Sequence, residues 1–153
     1  MALDKVFELA GTLGELMLLS LAERDLTPAR AEVLLVLRGS GPVVQRRLSQ
    51  ALRCTPRHVT NLVDDLEAAG LVVRRPHPTD RRATLVELTE RGAAVAARLA
   101  TERRDAAHAL LGDVPADDLA TFVAVADQVL ERVEATRSPQ APRDRADPEA
   151  SGG

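Results

Sequence analysis

The sequence predicts a mainly α-helical fold with a small β hairpin, and three observations lead there. Apolar residues recur at i, i+3, i+4 and i+7 through most of the chain. Two Thr-Pro dipeptides, Thr27-Pro28 and Thr55-Pro56, stand directly before such stretches; there a threonine caps a helix and a proline occupies its first turn without losing a hydrogen bond. The β-prone residues 71–88 are split by a Pro-containing loop, as in a hairpin. Aromatics make up 1% of the 153 residues, so the core is Leu, Val and Ala, a mixture that suits helices.

The elements follow in order. Residues 3 to about 24 read as a helix with Leu3, Val6, Phe7, Ala10, Leu13, Met17 and Leu21 on one stripe. Leu9, Leu16, Leu18 and Leu19 lie off that stripe, so the helix needs a second burial partner, either another subunit or the centre of a monomeric core. We take the second subunit. A helix over 27–39 ends at Gly39. "SGPVV" gives a turn and a short extended piece, and "QRRLSQALR" a two-turn helix with Leu48 and Leu52 inward. Thr55 caps the next helix, which Gly70 terminates. Two β-prone arms, 71–75 and 84–88, flank the loop. Thr89 caps a long Ala-rich helix to about Gly112. The last helix carries Leu119, Phe122, Val123, Ala126, Val129, Leu130 and Val133 at helical spacing. Residues 138–153 are Pro-rich without a large apolar residue and are expected to be a disordered tail.

Helices followed by a hairpin in this order form a winged helix-turn-helix, here flanked by N- and C-terminal helices long enough to pair two chains. We therefore expect a single domain over 1–137, with the winged helix at about 27–90 and dimerisation helices at about 3–24 and 90–137. Net charge is −3 and pI about 5.6. Residues 45–92, however, hold nine arginines against six acids, a local +3 that leaves −6 for the remainder. A basic middle between acidic ends is expected where one module meets an anion.

Over 56–69, Val59, Leu62, Val63 and Leu66 form one helical face. The opposite face presents Arg57 and Asn61, with His58 and Thr60 beside them. Arg binds guanine O6 and N7, and Asn adenine N6 and N7, each with two hydrogen bonds. Asp64 and Asp65 lie deeper and would repel phosphates, so contact is confined to the first two turns, as when a recognition helix enters the major groove by its N-terminal end. Taken alone, this face could equally be a solvated helix surface. The hairpin decides the matter: Arg81 and Arg82 sit at its tip, and a narrow minor groove attracts inserted arginine. Asp80 is expected to hold the Arg82 guanidinium by a charge-assisted bond.

The sequence resembles the MarR (multiple antibiotic resistance regulator) family of bacterial transcription factors. The resemblance is carried by "LTPARAEVL" at 26–34, Leu-Ser-x-x-Leu at 48–52, "TPRHVTNLVDDLEAAGLVVRR" at 55–75 and "DRRATLVELTERG" at 80–92. It is close over 26–92 and extends to the flanking helices in pattern. It implies that Asp80 and Arg82 are the wing pair, that Arg57, His58, Thr60 and Asn61 contact bases and phosphates, and that the outer helices form a two-fold homodimer on a pseudo-palindromic operator. Two positions depart from the family pattern. Val44 replaces a capping Ser or Thr, so the helix after it should fray; Asp65 replaces Arg or Lys and should weaken phosphate contact.

Many family members release DNA when a small anionic or aromatic molecule binds between the dimer helices and the DNA-binding lobe. This chain has only Phe7 and Phe122 as aromatics, which disfavours a stacking pocket. Arg24, Arg30 and Arg38 lie near such a pocket but read as solvated surface. Cys54, the only cysteine, precludes an intramolecular disulfide and suits a reducing cytoplasm. A helix N-terminus beside it could lower its pKa and make a redox switch, although a small core residue is the preferred reading. His58, His77 and His108 share no metal-ligand spacing, and His77 serves either the loop or a phosphate. There is no ~20-residue apolar run for a membrane span. No phosphate loop, nucleophile elbow or His-Glu motif marks an enzyme, and no cofactor is expected. The reading is a cytoplasmic, homodimeric, ligand-responsive repressor on double-stranded DNA, with Arg46, Arg47, Arg81 and Arg91 as phosphate contacts. The rivals are a winged-helix module binding an acidic protein, and a redox-responsive regulator acting through Cys54.

Overall fold

The structure is a computed structural model that describes residues 1–80 and 82–137. Arg81 and the tail over 138–153 lie outside the described residues. The chain divides into a compact unit Met1–Ala106 and a second that begins at Ala107.

The first unit opens with α1 (Ala2–Ala22), of which only Leu21 is buried. Leu3 is 65% exposed, Phe7 68% and Leu19 69%, so apart from Leu21 both apolar faces anticipated for this helix are uncovered in the single chain. In α2 (Pro28–Ser40), the Thr27 hydroxyl accepts the Arg30 N–H and Pro28 sits in the first turn. The helix runs through Gly39 rather than ending there. The turn is made by Gly41, at φ +72°, a conformation in which a side chain is strained.

The short extended piece is β1 (Val43–Val44), followed directly by α3 (Gln45–Ala51). Val44 offers no side-chain cap to α3. In α4 (Pro56–Ala68), the Thr55 hydroxyl accepts the His58 N–H at 3.2 Å. Beyond it Gly70, at φ +69°, reverses the chain, and the Leu71 N–H returns to the Leu66 carbonyl at 2.9 Å.

The hairpin is β2 (Val72–Pro76) and β3 (Thr84–Leu88). Three details differ from the sequence expectation, the first being that the first arm ends at Pro76 and not at Arg75. The first arm starts at Val72, not Leu71, because Leu71 is occupied elsewhere: its N–H closes α4 and its carbonyl accepts the Thr89 N–H at 3.1 Å. The sheet also has three strands rather than two, in the order β1-β3-β2. Val43 pairs with Val86 and Val44 with Leu85, so the two β-branched residues complete the free side of β3. Pro76 ends an edge strand, where a missing N–H is tolerated.

The core lies between α2, α3, α4 and the sheet. Val33, Leu34, Leu48, Val59, Val63, Leu66 and Val86 are fully buried, and no charged or polar side chain among the described residues is. Next, α5 (Glu90–Leu111) adds Ala96 and Leu99 to this core. Its start is tied to the turn after α4: the Thr89 hydroxyl donates to the Gly70 carbonyl at 2.8 Å and accepts the Gly92 N–H at 3.0 Å.

The second unit contains the end of α5 and α6 (Ala116–Arg137). Asp117 and Asp118 occupy the first turn of α6, where they complement the helix dipole. Phe122, Val123, Val125, Val129, Leu130 and Val133 are all exposed. Among the described residues no helix is long and apolar enough to cross a membrane.

Candidate nucleic-acid interface

The anticipated faces of α4 are as expected from its periodicity. Val59, Leu62, Val63 and Leu66 are buried, while Arg57, His58, Thr60 and Asn61 are exposed. The turn between α3 and α4 is made rigid locally: the Ser49 hydroxyl donates to the Cys54 carbonyl at 2.6 Å, and Arg53 takes the left-handed φ of +50°. That turn fixes the angle at which α4 leaves α3.

The four polar residues are not alike. Thr60 donates its hydroxyl proton to the Pro56 carbonyl at 3.0 Å and accepts the Gln45 Nε2–H at 3.1 Å. Gln45 in turn accepts the Arg74 Nε–H at 3.3 Å. Arg74 then reaches back to α4, bonding Asp64 at 2.5 Å and Glu67. Burial alone would lower the Arg74 pKa; the hydrogen bonds and charges of Asp64 and Glu67 outweigh it and raise it above the usual guanidinium value. One arginine thus links β2, α3 and α4 through named bonds. Neither Gln45 nor Arg74 was singled out from the sequence, because the link joins residues 29 positions apart and follows no local period.

The acids on α4 are correspondingly less repulsive than the sequence suggests. Asp64 is paired with Arg74, and Asp65 with Arg30 at 2.5 Å. Arg30 is therefore a partner of α4 rather than solvated surface. Arg24 likewise is paired, with Glu102 at 2.6 Å, whereas Arg38 stays exposed in the last turn of α2.

The wing turn departs from expectation at Asp80. Its carboxylate accepts the backbone N–H of Arg82 at 2.9 Å, not the guanidinium, so it shapes the turn and leaves the exposed Arg82 side chain without a bond among the described residues. A short Asp side chain reaches the amide two residues on more readily than the far end of a long neighbour. His77 organises the same turn: its Nδ1 accepts the N–H of Thr79 at 3.3 Å and of Asp80 at 3.1 Å. The loop role weighed for His77 is the one found. Arg81, expected at the tip, lies outside the described residues.

Arg46 and Arg47 are exposed on α3. Arg46 lines a cleft of about 450 Å³ together with His77 and Asp80 of the wing, so α3 and the wing meet there. Arg91 is partly committed, donating to the Ala69 carbonyl at 3.1 Å. Cys54 is half-buried and packs against the core. Burial pushes its thiol pKa up, opposite to the lowering that a redox switch at the helix N-terminus requires. A separate cavity of about 230 Å³ is lined by Arg24, Leu26, Leu71, Arg91, Val95 and Arg98. Among the described residues no cluster of three or more His, Cys, Asp or Glu could hold a metal.

Residues 24–83 match the model of the MarR family. The chain is 31% identical over 111 residues to the multiple antibiotic resistance protein MarR of Escherichia coli, spanning 72% of this chain and 77% of that protein. It is 39% identical over 71 residues to the transcriptional repressor NicR of Pseudomonas putida, spanning 46% of this chain and 45% of that one. A solved structure of a mutant Escherichia coli MarR complexed with operator DNA superposes with a TM-score of 0.70 at 27% identity, covering 85% of this chain and 94% of that one.

Proposed function

This chain belongs to the MarR family, and from that premise we propose that it is a transcriptional repressor that binds an inverted-repeat operator as a homodimer. The observation that carries the proposal is the pairing of an exposed Arg57, His58 and Asn61 on α4 with an exposed Arg82 held by a shaped turn. A helix of this kind reads base edges in the major groove, and the wing arginine enters the minor groove. Arg46 and Arg47, with Arg81, supply phosphate contacts. The likeness to an operator-bound relative supports this reading. It supports a regulator rather than an enzyme.

Ligand response would act through the cavity of Arg24, Arg91 and Arg98 over Leu26 and Leu71. Its lining suits a small organic anion through Arg98 and the apolar Leu26, Leu71 and Val95, with Arg24 bonded to Glu102 and Arg91 partly committed to the Ala69 carbonyl. Arg82→Ala is expected to weaken DNA affinity by about tenfold or more, the equivalent of roughly 1.4 kcal/mol, in fluorescence anisotropy with an intact fold by circular dichroism. Unchanged affinity would remove the wing from the mechanism.

A further inference from the structure

We infer that Thr60 reads the methyl group of a thymine in the major groove, and that Gln45 and Arg74 hold it in the pose that does so. The inference rests on α4 being the recognition helix. Thr60 is exposed, so the side chain is available to a partner, but its hydroxyl is not a free donor. The proton goes to the Pro56 carbonyl at 3.0 Å, and a lone pair receives the Gln45 amide at 3.1 Å.

The orientation of that amide is over-determined. Its oxygen accepts from Arg74 Nε at 3.3 Å; turned over, it would set an NH₂ group against a guanidinium, two donors facing each other. Arg74 is itself held by Asp64 and Glu67. With its proton committed, the hydroxyl cannot donate to guanine O6 or N7, adenine N7 or thymine O4. What remains of Thr60 is one lone pair, which can only accept, and the γ-methyl; the γ-methyl is the part that can meet the C5 methyl of thymine, the one apolar feature a base pair shows in the major groove. Thr60 is thus a methyl-contacting residue, and Gln45 and Arg74 are positioning residues behind it.

The test begins with selection of a high-affinity duplex from a random-sequence library by the full chain. Each thymine of that duplex is then replaced by deoxyuridine, which removes the C5 methyl alone. At least one thymine per half-site should lose affinity by roughly fourfold, the value of one methyl group taken out of water. Thr60→Ser, which keeps the hydroxyl, should bind the thymine and uracil duplexes equally; Thr60→Val, which keeps a methyl, should still discriminate. Gln45→Ala should narrow the discrimination while leaving the helical content unchanged. Insensitivity of the selected duplex to every replacement, or discrimination that survives in Thr60→Ser, would overturn the inference while leaving DNA binding in place. A library without enrichment would overturn the DNA-binding reading itself, and this inference with it.

Discussion

At Gly92, α5 passes so close to the end of α4 that a Cβ would stand 1.8 Å from the Leu71 carbonyl oxygen. That carbonyl is fixed, because it accepts the Thr89 N–H, so the backbone cannot yield cheaply. Gly92→Ala should therefore cost about 2–3 kcal/mol or more, at the upper end of overpacking penalties. Gly39 is the control: nothing lies within 4 Å of its Cβ position, and Gly39→Ala inside α2 should leave stability equal or raise it by up to ~1 kcal/mol. Urea unfolding of both variants checks the pair, and equal stabilities would show that the packing of α5 is not what requires Gly92. The Leu-Thr-x-x-Gly signature at 88–92 was legible as sequence. Its physical reason was not, since the carbonyl that Gly92 must admit belongs to residue 71. Asp80 shows the same limit in another form. Its nearness to Arg82 was plain from spacing, but whether the carboxylate takes the side chain or the amide depends on the turn geometry.

The proposed DNA-reading helix, α4, depends on charges that its own sequence does not supply. Asp64, Glu67 and Asp65 would leave α4 with an acidic second half, and Arg74 from β2 and Arg30 from α2 offset it. Arg74→Ala would release the Asp64 and Glu67 carboxylates and cut the tie between Gln45 and β2. DNA affinity should fall by about tenfold or more, within the range for losing one partner of a charge network. Asp64→Asn in the Arg74→Ala background should recover part of the loss in the same anisotropy titration; no recovery would mean that Arg74 acts through shape and not charge. Helix starts were the most legible elements, because Thr-Pro and Thr-x-x-Gly caps act within a few residues of sequence. The two-residue β1 was visible only as a short extended piece, since its partner Val86 lies 43 positions away by the register Val43↔Val86. The exposed face of α4 was legible as positions, and so was the place of the hairpin, with Arg81 outside the described residues; the Gln45–Arg74 link behind them was not.

Among the described residues, α1 and α6 each carry exposed large apolar side chains. Leu3, Phe7 and Leu19 on α1 are each more than half exposed, as, separately, are Phe122 and Leu130 on α6, and exposed apolar faces mark interaction sites. The proposed homodimer would cover these helices. Sedimentation equilibrium should then return twice the 16.4 kDa of one chain at micromolar concentration, and a monomer would remove the two-fold operator from the account. The charge distribution makes the companion statement: a chain of net charge −3 binds a polyanion only if its basic centre acts locally. The most direct measurement is anisotropy of the full chain with labelled DNA from immediately upstream of its own gene, against scrambled DNA, over a series of salt concentrations. The account predicts tight binding that prefers the upstream sequence and falls linearly on a log–log salt plot, with a slope set by the phosphates neutralised. Weak binding, equal for the two DNAs and indifferent to salt, would contradict it and favour a winged helix that docks on an acidic protein.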